Sequence, residues 1–170
     1  MAISPTEEGG VPTKASKVTL REVTKDNWRA VIELRVVPGQ EGSVSPNSAS
    51  LCEAHYSEDA WVRAIYADET PVGFLMMSIW PPESWYSVWR FMIDARYQRL
   101  GFGRLAIRLA ISHVRENYPD ANLIRLMATG PEGSDKVSSE NAPYNFYLGL
   151  GFKGIGPIGD DGQIEMGVGL

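Results

Sequence analysis

Two short segments carry residue types that do chemistry. The first is Gln98-Arg99-Leu100-Gly101-Phe102-Gly103-Arg104, between an aromatic-rich run ending near Asp94 and a stretch of helical periodicity. The first turn of a helix has unpaired N–H groups and the positive end of the macrodipole, and glycines let main chain curl round an anion without a Cβ in the way. A loop of this kind can hold a pyrophosphate. It lacks the Gly-Lys-Ser/Thr ending of a triphosphate-binding loop, and Gly101 with Gly103 falls short of the dinucleotide fingerprint, so ATP and NAD are set aside. Taken alone, the glycines serve equally well as a tight turn that needs φ > 0. The second segment is Tyr147-Leu148-Gly149-Leu150-Gly151-Phe152. Tyr147 stands one turn before a glycine stop, where its phenol can face a cleft and not solvent. The same residues also suit a core-packed helix end with Gly151 just beyond it.

The elements that position these segments follow from the hydrophobic period. VTLREV from Val18 alternates as a half-buried strand, and Thr24 precedes KDNWRAVIELR, which has helical spacing. Pro38, Gly39, Gly42 and Pro46 predict a loop, and SASLCEAHY predicts one or two helical turns. WVRAIYA and PVGFLMMSI, with DETP between them, predict a hairpin, and WYSVWRFMI a third strand of a meander. GRLAIRLAISHVREN predicts a long helix beginning close to Gly103, its core stripe carrying Leu105, Ile107, Leu109, Ile111 and Val114. LIRLMAT reads as a strand, Pro131 to Ser139 as a loop, and APYNFYLGL as two to three helical turns ending at Gly151. GFKGIG and QIEMGV close the chain as a hairpin about a GDDG turn. The expected fold class is α/β: one domain over residues 17–170, a mixed, mostly antiparallel central sheet flanked by helices, after a disordered tail over 1–16.

Composition narrows the function classes. At 170 residues, 44% hydrophobic and 22% charged, the chain can enclose a full core without staples. Its single cysteine, Cys52, excludes an internal disulfide framework, and with only His55 and His113 as imidazoles no metal site is expected. A net charge of -5 and a pI near 5.1 repel a polyphosphate backbone, so nucleic acid is not an expected partner. No apolar run spans a bilayer, and the first residues have no secretory pattern, so a cytoplasmic protein without membrane association is expected. A strand exposed near the C-terminus would let two copies pair as a homodimer.

Considered together, the two segments, separated by a helix, a strand, a loop and a second helix, are far more specific than either alone. The chain resembles the GCN5-related N-acetyltransferase superfamily, whose signature is Q/R-x-x-G-x-G/A at the acyl-CoA pyrophosphate loop followed later by Tyr-x-x-x-Gly-Phe. The likeness runs from about Val18 to Val168. TLREVTKDNWRAVIEL, AIYADETPVGF and WRFMIDARYQRLGFGR look most similar to the diamine and spermine/spermidine acetyltransferase-like branch. The resemblance implies acetyl-CoA as cosubstrate and direct acetyl transfer, in a ternary complex, to a primary amine of a small molecule, with polyamines among the expected acceptors. It implies that the backbone of Phe91, Met92 and Ile93 lies along the pantetheine arm. It also implies that main-chain N–H groups over Arg99, Leu100, Gly101, Phe102, Gly103 and Arg104 enclose the pyrophosphate, with Gln98 opening the loop and Arg104 adding charge. Tyr147 falls where the family protonates the departing thiolate. Asn141 is placed near the CoA chain, although the family's Asn position is occupied here by Glu140.

Attack by an amine also needs a proton acceptor, a carboxylate or an ordered water. Where some polyamine acetyltransferases carry Glu on the central strand, this chain has Trp89. Glu53 is the leading candidate base, with His55 and Asp94 as alternatives, each of which also has an ordinary structural reading. Cys52 lacks a Cys-His-Asp setting and reads as a small packed side chain. Trp80, Trp85, Tyr86 and Trp89 can wall the acceptor site or fill a core. Two other functions stay open: acetylation of another amine, such as a drug, a biosynthetic intermediate or a peptide amine, and a non-catalytic acyl-CoA-binding module.

Overall fold

Short β-rich runs alternating with two helical layers give the chain its order. In the computed structural model, which describes residues 10–42, 44–130 and 143–170, β1 (Val18–Arg21) is followed by α1 (Trp28–Glu33) and α2 (Asn47–His55). Then come β2 (Ala60–Ala67), β3 (Thr70–Trp80), β4 (Trp85–Ile93) and α3 (Phe102–Asn117). β5 (Leu123–Thr129), α4 (Pro143–Leu148), β6 (Lys153–Ile158) and β7 (Gln163–Gly169) complete it. The seven strands form one sheet in the order β1-β2-β3-β4-β5-β7-β6. Every neighbouring pair is antiparallel except β4 with β5. The expected α/β class, with a mixed, mostly antiparallel sheet flanked by helices, is what the chain adopts.

The meander forms because aromatic and β-branched runs are separated by minimal turns. Ala67 pairs with Thr70 across a two-residue turn in which Asp68 takes φ 52°. Because strand side chains alternate, β3 feeds both faces: Val72, Leu75 and Met77 enter the core under α3, and Phe74 and Met76 enter the core under α1 and α2. Asn47, buried at the start of α2, donates Nδ2–H to the Val31 carbonyl of α1 at 2.8 Å and holds the two helices together. Thr24 does not begin α1. Its hydroxyl accepts from the Asp26 N–H, the Asn27 side chain accepts from the Thr24 N–H, and the helix starts at Trp28.

α3 corrects the expected core stripe. Phe102, Ala106, Ile107, Ala110, Ile111 and Val114 are buried, whereas Leu105 and Leu109 stay 40% and 39% exposed. The alanines let the helix axis lie close on the sheet, which rotates Leu105 and Leu109 to the rim of a shallow groove beside Val18. Among the described residues α4 covers Pro143–Leu148, and its stop falls at Gly151 as its pattern suggests. The Phe152 N–H returns to the Tyr147 carbonyl at 3.1 Å, and Gly151 (φ 93°) closes the helix in the left-handed region. Of the expected tail, residues 1–9 lie outside the described residues. Thr13 to Ser16 form a hydrogen-bonded turn, and the Lys17 N–H donates to Asp68 at 3.0 Å, so the chain is tied to the sheet just ahead of β1. The loop expected over Pro131 to Ser139 also lies outside the described residues.

Candidate active site

A wedge opens in the middle of the sheet. β4 and β5 run parallel but are in register only at Ser87 with Arg125 and Val88 with Leu126. Just there β3 meets β4 through a bulge: Met77 faces Val88 and Met76 faces Arg90, leaving Trp89 as the extra residue. A bulge bends its strand and ends regular pairing. β4 therefore leaves β5 after Val88, and the β5-facing edge of Phe91, Met92 and Ile93 is unpaired within the sheet. Unpaired N–H and C=O groups on a strand edge can bind an extended chain that carries amides, in the manner of an added strand.

The loop that follows is braced from beneath. Asp94, 3% exposed, accepts from the Arg35 N–H at 2.9 Å, the Arg96 N–H at 3.0 Å and the Arg96 Nε–H at 2.7 Å. Burial pushes its carboxyl up, but the Arg96 side chain and the two amides outweigh that and hold it below its ordinary value of 3.8. A lowered pKa adds stability above the unfolded value and loses it as pH falls through the folded one. Asp94→Asn is expected to cost about 1–3 kcal/mol near neutral pH. Urea melts should show that difference shrinking below about pH 4; a deficit independent of pH would refute the charge-based brace. Gln98 adds a second tie, donating Nε2–H to the Ile93 carbonyl at 3.0 Å and to Gln40 Oε1 at 3.1 Å.

Beyond Gln98 the main chain turns outward. Leu100 and Phe102 pack inward on the core, Phe102 only 1% exposed, so the backbone between them lies at the surface. Arg99 takes φ 64° and Gly101 φ 89°, and no side chain caps α3. Among the described residues, no side chain or loop carbonyl accepts from the N–H groups of 99–103. A Cβ on Gly101 would meet nothing within 4 Å, so the concavity is open. Gly103 faces inward: a Cβ there would lie 3.2 Å from the Phe91 ring and 3.4 Å from both Ile93 Cγ1 and the Phe146 ring. Its absence lets α3 start directly against β4. An uncapped N-terminus with an open, glycine-lined approach fits a pyrophosphate. Arg104 sends its guanidinium toward α4, donating to the Gly149 carbonyl at 2.6 Å, so its side chain ties α3 to the end of α4.

α4 bridges the wedge on the α3 side. Phe146 stacks on Phe91 of β4 at 5.9 Å between centroids, and α4 also packs on β5. Tyr147 is held edge-on by Phe146 at 5.1 Å and Phe152 at 5.6 Å and is 8% exposed. Among the described residues its hydroxyl has no hydrogen-bond partner. Burial raises the phenol well above its ordinary value, so it stays protonated at physiological pH. A neutral phenol in a dry setting beside the wedge is suited to give its proton to an anion forming there.

The other face holds the remaining candidates. Glu53, on α2, reaches Arg90 of β4: Arg90 NH2 donates to Oε2 at 3.2 Å, and the Glu53 side chain is 44% exposed. Oε1 has no partner among the described residues. His55 rests edge-on against Tyr56, and Cys52 is exposed on the same helix. Asn141 and Glu140 lie outside the described residues. Sequence reading missed Gln40, Arg35 and the bulge at Trp89. The first two come from a distant loop, and nothing in WYSVWRFMI marks which residue loses its partner.

Comparison with known proteins gives the family. Residues 22–152 match the acetyltransferase (GNAT) family. The chain belongs to that family. It is an N-acetyltransferase, and acetyl-CoA is its cosubstrate. The spermine/spermidine N(1)-acetyltransferase of Bacillus subtilis (strain 168) is 30% identical over 110 residues, 59% of this chain and 70% of that protein. Among solved structures, the PaiA N-acetyltransferase of Thermoplasma acidophilum in complex with coenzyme A superposes with TM-score 0.64 at 15% identity, over 91% of this chain and 99% of that one. The ribosomal-protein-S18-alanine N-acetyltransferase of Escherichia coli superposes with TM-score 0.64 at 15% identity, covering 90% and 94%. These structures share the GNAT fold. No described helix is long and apolar enough to cross a membrane.

Proposed function

We propose that this GNAT acetyltransferase moves the acetyl group of acetyl-CoA to a primary amine of a small molecule by direct attack in a ternary complex. The observation that carries the reading is the wedge after Val88 and Leu126, flanked by the uncapped start of α3 and by the buried phenol of Tyr147. In this reading the diphosphate sits on the N–H groups of Arg99 to Arg104, Gln98 keeps that loop in place, and the amide-bearing arm lies along Phe91, Met92 and Ile93. The amine lone pair attacks the thioester carbonyl carbon, the C–S bond breaks, and the sulfur leaves with its electron pair. Glu53 takes one proton from the ammonium, directly or through water, before the attack; Tyr147 then gives its proton to the leaving sulfur, and the second proton that the nitrogen loses as the amide forms restores the Tyr147 phenol. The products are the N-acetyl amine and CoA thiol, with one proton released overall.

Release of free thiol from acetyl-CoA, measured against a set of primary amines, tests this. Amine-dependent release is expected, and Glu53→Gln should lower kcat/KM by about tenfold or more while raising the pH at which the rate plateaus. Tight acetyl-CoA binding with no amine-dependent release would instead favour a non-catalytic acyl-CoA module. The Tyr147 phenol favours turnover, since binding alone has no use for a proton donor at the thioester.

A further inference from the structure

The face from which an amine must approach is fixed by what covers the sheet. α3 and α4 close one face of the wedge, and α1 and α2 cover the other face only over the meander. Beyond β4 no described helix covers that second face, and strand register states which side chains it presents. Trp89, the bulged residue, packs on the α2 side, and Glu53 lies over neighbouring Arg90. On β5, Met127 follows the last residue paired to β4, is 56% exposed, and stands opposite Glu165 of β7. Arg125 donates to Glu165 at 3.1 Å and lies over the Trp85 ring at 5.3 Å.

Among the described residues, the two carboxylates at this mouth are each paired with a guanidinium. Glu53 has Arg90 and Glu165 has Arg125, with indole and thioether surface between them. Arg90 is poorly placed to give up its partner. Its NH1 donates to the Trp89 carbonyl, and its Nε is buried without a hydrogen-bond partner. Drawing Glu53 to a second ammonium would leave that guanidinium with one neutral acceptor. Among the described residues, a polycation entering here meets two guanidinium groups and no carboxylate without a guanidinium beside it, whereas an apolar body meets Trp85, Trp89 and Met127.

Resting on the acetyltransferase reading above, we infer that the acceptor is an amine with a single positive charge and an apolar body, and that Arg90 and Arg125 set this specificity against polyamines. The test compares 2-phenylethylamine, hexylamine, spermidine and spermine with acetyl-CoA, reading thiol release. The monoamines are expected to exceed spermidine in kcat/KM by roughly tenfold or more. Arg125→Ala, which frees Glu165, should narrow that ratio, and Glu165→Gln, which leaves Arg125 unopposed, should widen it. Spermidine or spermine used as well as the monoamines would overturn the inference while leaving the transferase reading standing. An unchanged ratio in both variants would overturn the role of Arg125. Thiol release with no amine at all would overturn both readings together.

Discussion

Tyr147→Phe is expected to lower kcat by about 10²–10⁴-fold with the KM for acetyl-CoA changed by less than about twofold. The substitution deletes one oxygen and leaves the ring in its edge-on contacts with Phe146 and Phe152. Because no described group bonds to the hydroxyl, folding stability should change by less than about 1 kcal/mol, a typical net value for one hydrogen bond. Loss of turnover would then report chemistry and not damage. Burial fixes the sign of the pH effect. A phenol pushed up stays an acid across the neutral range, so the wild-type rate has no descending limb from Tyr147 below about pH 10, its ordinary pKa. Single-turnover kinetics against pH is the measurement. A variant as fast as wild type throughout would remove Tyr147 from the mechanism.

Gly101→Val should abolish measurable acetyl-CoA binding, a loss of at least about 100-fold, while the domain stays folded. Two effects combine. At φ 89° a β-branched residue is strained by about 1–3 kcal/mol, so the loop shifts and its N–H groups lose their common aim. Where strain is tolerated, the side chain projects into the open concavity that a diphosphate would fill. The underlying fold is buffered, since Leu100 and Phe102 anchor the loop on either side and Asp94 and Gln98 brace it from below. Calorimetric titration with acetyl-CoA, beside a thermal melt, separates the outcomes. Wild-type affinity in a folded Gly101→Val protein would move the diphosphate elsewhere on the molecule.

The largest part of the fold was legible because its signals are local. The hairpin turn within DETP, the aromatic run of β4 and the change from a period of two to 3.6 at α3 each follow from backbone sterics and side-chain alternation, although Thr70 and Pro71 prove to belong to β3. The glycine-rich loop and Tyr147 were legible for the same reason: a positive φ and a helix stop leave marks within a few residues. Leu105 and Leu109 misled because periodicity identifies an apolar side of a helix but not its rotation, which the small Ala106 and Ala110 settle by close packing on the sheet.

The strand and helix order, the glycine turn ahead of α3 and the place of Tyr147 just before a glycine helix stop can be read from the chain alone, because all are products of short-range conformational preference. Long-range packing sets where the sheet parts, makes Asp94 a brace, turns Arg104 to Gly149 and brings Glu53 and Glu165 each to a guanidinium. Those facts depend on register between strands and on partners tens of residues apart. A one-residue bulge at Trp89 resets which side chains share a face, and no local preference in the chain encodes it.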